Sequence, residues 1–178
     1  MKFIETKISG VYIVELDLLK DERGFFARTW DEKEAVERGL QARMVQSSTS
    51  FNQRAGTLRG MHYQEKPHTE AKLVRCTQGA LYDVAVDLRH DSPTYLQWVA
   101  TELNAENRRA LYIAKGCAHG FQTLSDATEI LYMMSEYFNG EASRGVRWND
   151  PAFKIDWPEV STRIVSPKDQ TWPDWKNA

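Results

Sequence analysis

LVRCTQGALYDVAVDL, residues Leu73–Leu88, holds two β-rich runs, Leu73–Thr77 and Leu81–Leu88, on either side of Gln78–Gly79. Gln-Gly between two such runs is a turn signal, and the stretch predicts a β-hairpin. Further strand-like runs extend from it in both directions: Val11–Leu16 on the N-terminal side, and Leu96–Leu103, Ala110–Ile113, Gly120–Thr123 and Glu129–Met134 on the C-terminal side. Several short strands divided by turn residues predict a sandwich or barrel. One segment reads as a short surface helix: Asp31 can cap it, Glu32–Arg38 is rich in helix formers, and Gly39 supplies a stop. From Asn149 to Trp175 there are four prolines (Pro151, Pro158, Pro167, Pro173) and three tryptophans (Trp157, Trp172, Trp175). Proline at that density excludes a long regular element. The tail is expected to be an extended strap whose aromatics pack onto the barrel.

Composition narrows the class. At 178 residues the chain fits one domain, 1–178, with no linker or internal repeat. Apolar residues make up 42% and charged residues 27%, as in a soluble globular protein. The net charge of −2 gives no reason to expect a nucleic-acid partner. No run approaches the roughly 18 apolar residues of a membrane span, and MKFIETKISG lacks a signal-peptide core. The expectation is a cytoplasmic protein with no membrane partner. Cys76 and Cys117 are then expected as reduced, buried thiols.

Four polar groups interrupt apolar strand-like runs: His62 in LRGMHYQ, Lys72 in EAKLVRC, His119 in GCAHGFQ and Tyr132 in EILYMMS. Each alone has an ordinary reading, as a hydrogen-bonded core histidine, a packed tyrosine or a snorkelling lysine. Together they suggest a functional pocket. Gly60-Met-His62 with His68 and Glu70, and Gly116-Cys-Ala-His119, resemble the two metal-site segments of cupins, which are jelly-roll barrels. His and carboxylate groups on adjacent strands could hold a metal. The usual first segment has two histidines separated by one residue, however, and here Tyr63-Gln64 follows His62. A metal-dependent cupin enzyme is therefore an alternative, and the leading expectation is no metal and no cofactor. No GxGxxG loop is present for a dinucleotide.

A longer set of stretches runs along nearly the whole chain: Asp21-Glu-Arg-Gly-Phe-Phe26, Thr57-Leu-Arg-Gly-Met-His-Tyr-Gln64, Ala71-Lys-Leu-Val74, Gly116-Cys-Ala-His-Gly-Phe121, Leu131-Tyr132, Trp148-Asn-Asp-Pro151, Asp156-Trp-Pro158 and Ser166-Pro-Lys-Asp169. In order and spacing they resemble the dTDP-4-dehydrorhamnose 3,5-epimerase family. The resemblance implies an all-β, cupin-like jelly roll with a few short surface helices. It also implies a homodimeric, metal-independent isomerase acting on a nucleotide-linked 4-keto-6-deoxy sugar. It makes His62 the base, Asp169 its hydrogen-bond partner, Tyr132 the proton donor on the opposite face, and Lys72 the group that steadies the enolate oxygen. Arg59 and Arg23 would bind the diphosphate, His119 would hydrogen-bond the substrate, and Phe26 would pack on the nucleobase. Gln46 and Lys168 match nucleotide-binding positions of the family.

Three positions depart from that family. Arg28 stands where Glu is usual, Gln46-Ser47-Ser48 where Gln-Asp-Asn is frequent, and Ser143 where another Glu precedes Arg144-Gly145. A guanidinium only donates, and cytosine offers an acceptor where thymine offers N3–H. A 3- or 5-epimerase of a CDP-linked 4-keto deoxysugar is thus a further alternative, with Arg28 and Ser48 counted among the nucleotide-binding candidates. A non-catalytic sugar-binding jelly roll is the remaining alternative; binding alone needs no acid opposite a base.

Overall fold

The computed structural model describes residues 1–175. In chain order the strands begin with β1 (Lys2–Glu5) and β2 (Tyr12–Glu15), then β3 (Leu19–Asp21) and β4 (Gly24–Phe26). Helix α1 (Glu32–Glu37) comes next, then β5 (Gln46–Asn52), β6 (Thr57–Gln64), β7 (Lys72–Gln78) and β8 (Ala80–Asp87). β9 (Trp98–Asn104), β10 (Ala110–Ile113), β11 (Cys117–Thr123), β12 (Thr128–Met134) and β13 (Ser143–Gly145) follow. The tail carries β14 (Ile164–Val165) and a four-residue helix, α2 (Pro167–Gln170).

Two antiparallel sheets face one another, in the orders β1-β2-β10-β7-β12-β5 and β13-β6-β11-β8-β9. β14 adds to β6 in parallel, and β3–β4 forms a hairpin of its own. This is a jelly roll. The Leu73–Leu88 stretch supplies one strand to each sheet, so the Gln78–Gly79 turn crosses between the layers. Gly79 sits at φ +76, a conformation that glycine adopts at no steric cost. Strand periodicity then sorts the side chains. Val74, Cys76, Leu81 and Ala85 join Leu103, Leu111, Ile113, Phe121 and Ile130 between the sheets. Leu73 turns to the outer face of the first sheet, under Trp30, Leu40 and Met44 from the α1 region. Val84 and Val86 turn to the outer face of the second, under Phe153, Trp157 and Trp175 of the tail. The expected β-hairpin is thereby corrected, since β7 and β8 do not pair with each other; both faces of these strands are buried, which is why the stretch is so apolar.

The helix behaves as expected. Asp31 is its N-cap, accepting from the Glu34 N–H at 3.2 Å, and only Ala35 is buried. The strap does pack its aromatics on the second sheet, and it also contains β14 and α2, which were not expected. Ser166 caps α2 and Pro167 opens it. Strand β11 begins at Cys117, three residues earlier than expected, so His119 lies within the strand. No helix among the described residues is long and apolar enough to cross a membrane.

Candidate active site

His62 and Arg59 are three residues apart on β6, a spacing that places side chains on opposite faces of a regular strand. In register, however, His62 pairs with His119 and Arg59 with Phe121, so three steps on β6 match two on β11. The extra residue is a β-bulge, and it turns both His62 and Arg59 toward the space between the sheets. Glycine is required on both sides of the bulge. A Cβ at Gly60, whose φ is +136, would meet Gly120 Cα at 2.5 Å, and one at Gly120 would meet Met61 Sδ at 2.5 Å.

The partner of His62 comes from the tail. His62 Nε2 lies 2.6 Å from Asp169 Oδ1 on α2. Asp169 also receives the Gly60 N–H on Oδ2 at 3.3 Å and the Trp172 indole N–H on Oδ1 at 3.2 Å. Burial alone would raise this carboxyl, but the bond and charge of His62, with the Gly60 and Trp172 donors, hold it below the usual carboxylate range. An ionised carboxylate only accepts, so Nε2 carries a proton toward Asp169, and Nδ1 is the ring nitrogen outside that bond.

Tyr132 stands on the facing sheet. On β12 it pairs with Val74 and with Ser48 of β5, and its ring meets His119 edge-on with centroids 6.1 Å apart. Burial pushes its phenol strongly up, against the opposing effect of a hydrogen bond to Ser50, so the group is neutral and keeps its proton. Ser50 continues into a polar row: Asn52 donates to Ser50 Oγ at 3.3 Å and accepts from Arg59 Nε at 2.8 Å. His119 is itself half of a second pair, with Nε2 2.7 Å from Asp83 Oδ1, and Asp83 is fully buried. Lys72 lies one inward position from Val74 on β7 and forms a largely buried ion pair with Glu70 at 3.1 Å.

His62, Asp169, Tyr132, His119 and Arg59 are thus linked by these contacts and pairings about the space between the sheets, and Lys72 lies at an inward position of β7, bound to Glu70. Gln46 and Ser48 flank that space on the edge strand β5, where Gln46 Oε1 accepts the Phe138 N–H at 2.6 Å. Lys168 lies on α2 with its ammonium 5.1 Å from the Trp172 ring. The expected ligands Arg23, Phe26 and Arg28 are not brought into this group. Arg23 is 84% exposed and pairs with Asp21 on its own hairpin. Phe26 is 67% exposed, and Arg28 pairs with Asp31 at 2.9 Å. None of the three bonds or stacks with a residue of the His62 group among the described residues.

The metal-site alternative is corrected by geometry. Its four candidate ligands face four different partners: His62 meets Asp169, His119 meets Asp83, His68 accepts from Asn139 and Glu70 meets Lys72. Among the described residues no three His, Cys, Asp or Glu side chains converge as a metal set. Both cysteines are free and buried, and burial pushes Cys76 up to about 11 and Cys117 up to about 12.

Sequence reading missed Asp83, Ser50, Asn52 and Trp172. For Asp83 a signal existed, a carboxylate at an inward position of the otherwise apolar YDVAVD run. For Ser50 and Asn52 none did, since QSSTSFN does not read as a strand. Trp172 was read only as packing.

A family model described as dTDP-4-dehydrorhamnose 3,5-epimerase matches residues 5–177. The chain is 44% identical over 174 residues to the dTDP-4-dehydrorhamnose 3,5-epimerase of Methanothermobacter thermautotrophicus, covering 96% of this chain and 92% of that one. It superposes with a TM-score of 0.92 on the crystal structure of the dTDP-4-dehydrorhamnose 3,5-epimerase of Bacillus anthracis with TDP and PPi bound. Identity there is 42%, with 98% of this chain and 99% of that one covered. The dTDP-6-deoxy-D-glucose-3,5-epimerase of Legionella pneumophila, in complex with dTDP-4-keto-L-rhamnose, gives a TM-score of 0.91 at 39% identity. It covers 97% of this chain and 92% of that one.

Proposed function

The chain belongs to the dTDP-4-dehydrorhamnose 3,5-epimerase family and is an isomerase, and from that premise we propose how its residues epimerise a nucleoside-diphosphate-linked 4-keto-6-deoxyhexose. The observation that carries the reading is the opposition of two groups across the gap between the sheets. A His–Asp pair stands on one wall and a neutral, buried phenol on the other.

A ketone at C4 acidifies the C–H bonds at C3 and C5, because the carbanion left by deprotonation is an enolate with its charge on O4. His62 Nδ1 takes the proton, while Asp169 fixes the ring through Nε2–H and stabilises the imidazolium that forms. The Lys72 ammonium faces the growing charge on O4. Such a donor is typically worth about 10²–10³ in rate. The Tyr132 phenol returns a proton from the opposite side, which inverts the carbon. With Asp83 taking its Nε2–H, His119 presents Nδ1 to a sugar hydroxyl. Arg59, steered by Asn52, meets the diphosphate at the mouth.

The substrate holders on the β3–β4 hairpin serve a second copy of the chain. Leu19, Phe25 and Phe26 are exposed there beside Arg23, a pairing of apolar surface with a phosphate-type cation that suits another subunit's nucleotide pocket. The protein is expected to run as a dimer in light scattering, and Arg23→Ala to raise KM severalfold. A monomer with full activity would overturn this arrangement. Arg28 is already paired at the α1 cap, so no observation singles out a cytosine base over thymine.

Proton exchange tests the reaction. Incubating the protein with dTDP-4-keto-6-deoxyglucose in D₂O should place deuterium at C3, C5 or both, read by NMR. A substrate that gains deuterium neither at C3 nor at C5 would end the proposal.

A further inference from the structure

We propose that Trp172 is a positioning residue, whose indole N–H and ring seat hold the Asp169 carboxylate so that His62 faces the substrate. The inference rests on the reading of His62 as the base. It concerns a residue whose indole N–H bonds the Asp169 carboxylate and not the imidazole.

Three observations converge on the indole. Its Nε1–H donates to Asp169 Oδ1 at 3.2 Å, the same oxygen that meets His62 Nε2 at 2.6 Å. The Gly60 N–H takes the other oxygen at 3.3 Å. Three donors on two oxygens fix the rotation of the carboxylate. An indole can only donate, so it cannot compete for the imidazole proton.

The ring is seated on Gly145, where a Cβ would come within 2.3 Å of Trp172 Cε2. Gly145 is the residue of β13 in register with His62 itself. The indole therefore lies beside the base, edge-on at a centroid distance of 6.5 Å. No other residue than glycine leaves room for it there.

The strap is tied down on both sides of the ring. Upstream, α2 is capped by Ser166, and Lys168 lies over the indole face. This gives Lys168 a structural use on its own chain. Downstream, Asp174 pairs with Arg147, the Trp175 N–H donates to Asp150, and the Trp175 indole donates to the Tyr95 hydroxyl at 2.9 Å. The strap thus functions as a clasp that delivers Asp169 to His62 at a set height, with Trp172 as its contact point.

Trp172→Phe in the full chain keeps the aromatic seat and removes the donor. Losing one such bond is expected to lower kcat roughly 3–10-fold with KM unchanged. In the free protein, the deshielded ring N–H proton between His62 and Asp169 should shift in the proton NMR spectrum and exchange faster with solvent. His62→Ala assigns that resonance by deleting it. Gly145→Ala, which displaces the indole without altering it, should reproduce the kcat loss. Wild-type kcat in either variant, a loss confined to KM, or an unmoved resonance in Trp172→Phe would overturn the proposal. A His62→Ala variant that still exchanges would instead remove the base assignment beneath it. An inactive His62→Ala beside a fully active Trp172→Phe removes only the role of Trp172.

Discussion

His62→Ala is expected to abolish deuterium uptake at both C3 and C5. A single base is expected to serve both carbons, because both are flanked by the same C4 ketone and, of the two His–Asp pairs on that wall, the His62 imidazole is 41% exposed while that of His119 is only 5% exposed. General-base catalysis is typically worth about 10²–10⁴ in rate, so turnover should fall by at least that range. The fold should survive the change. The His62 side chain is 41% exposed, and its removal leaves Asp169 with the Gly60 and Trp172 donors. Kinetics by NMR in D₂O, with a thermal melt beside them, separate the two effects. Wild-type exchange in a variant that melts normally would move the base elsewhere in the pocket. Loss at one carbon alone would require a separate base for the other.

Much of the fold was legible because the central strands are buried on both faces. Leu73–Leu88 could hardly be anything else, and the runs at Ala110, Gly120 and Glu129 share its apolar character. Strand β5 escaped for the opposite reason. Its inward positions are Gln46, Ser48, Ser50 and Asn52, so the face that should have shown an apolar period lines the pocket instead. Polarity that reads as loop is the site itself. The bulge in β6 had a visible trace in Gly60, since a lone glycine in a strand often marks one. Its consequence, Arg59 and His62 on one face, needed the register to be seen.

The candidate site divides in the same way. His62, Lys72, His119 and Tyr132 stood out as polar groups in apolar runs; the sheets set His62 beside His119 and His119 against Tyr132, while Lys72 pairs with Glu70. Asp169 could be named only through resemblance, because a residue of a proline-rich tail has no periodicity to locate it. Arg23 and Phe26 matched a motif equally well, and Arg28 stood out as a departure from one, yet all three stand apart from the His62 group on this chain. A motif match tells which residues recur, and not where a hairpin's side chains come to lie.

Tyr132→Phe is expected to separate two events that the wild-type protein couples. Without the phenol, His62 still removes the proton and Lys72 still faces the enolate oxygen. The enolate is then reprotonated from the side of the base, and in D₂O this returns deuterium to the carbon in its original configuration. The variant should therefore label unreacted substrate while forming the inverted sugar about 10²–10⁴-fold more slowly. The comparison is internal, since one NMR sample reports both deuterium in the starting epimer and the amount of the product epimer. The ring remains beside His119, and the substitution gives up the bond to Ser50, a cost of about 0.5–1.5 kcal/mol that should leave the melt nearly in place. Inversion at the wild-type rate would take the donor role from Tyr132. An equal fall in labelling and inversion would mean that the phenol acts on the enolate oxygen, the role given to Lys72, and that the proton comes to the far face from another group.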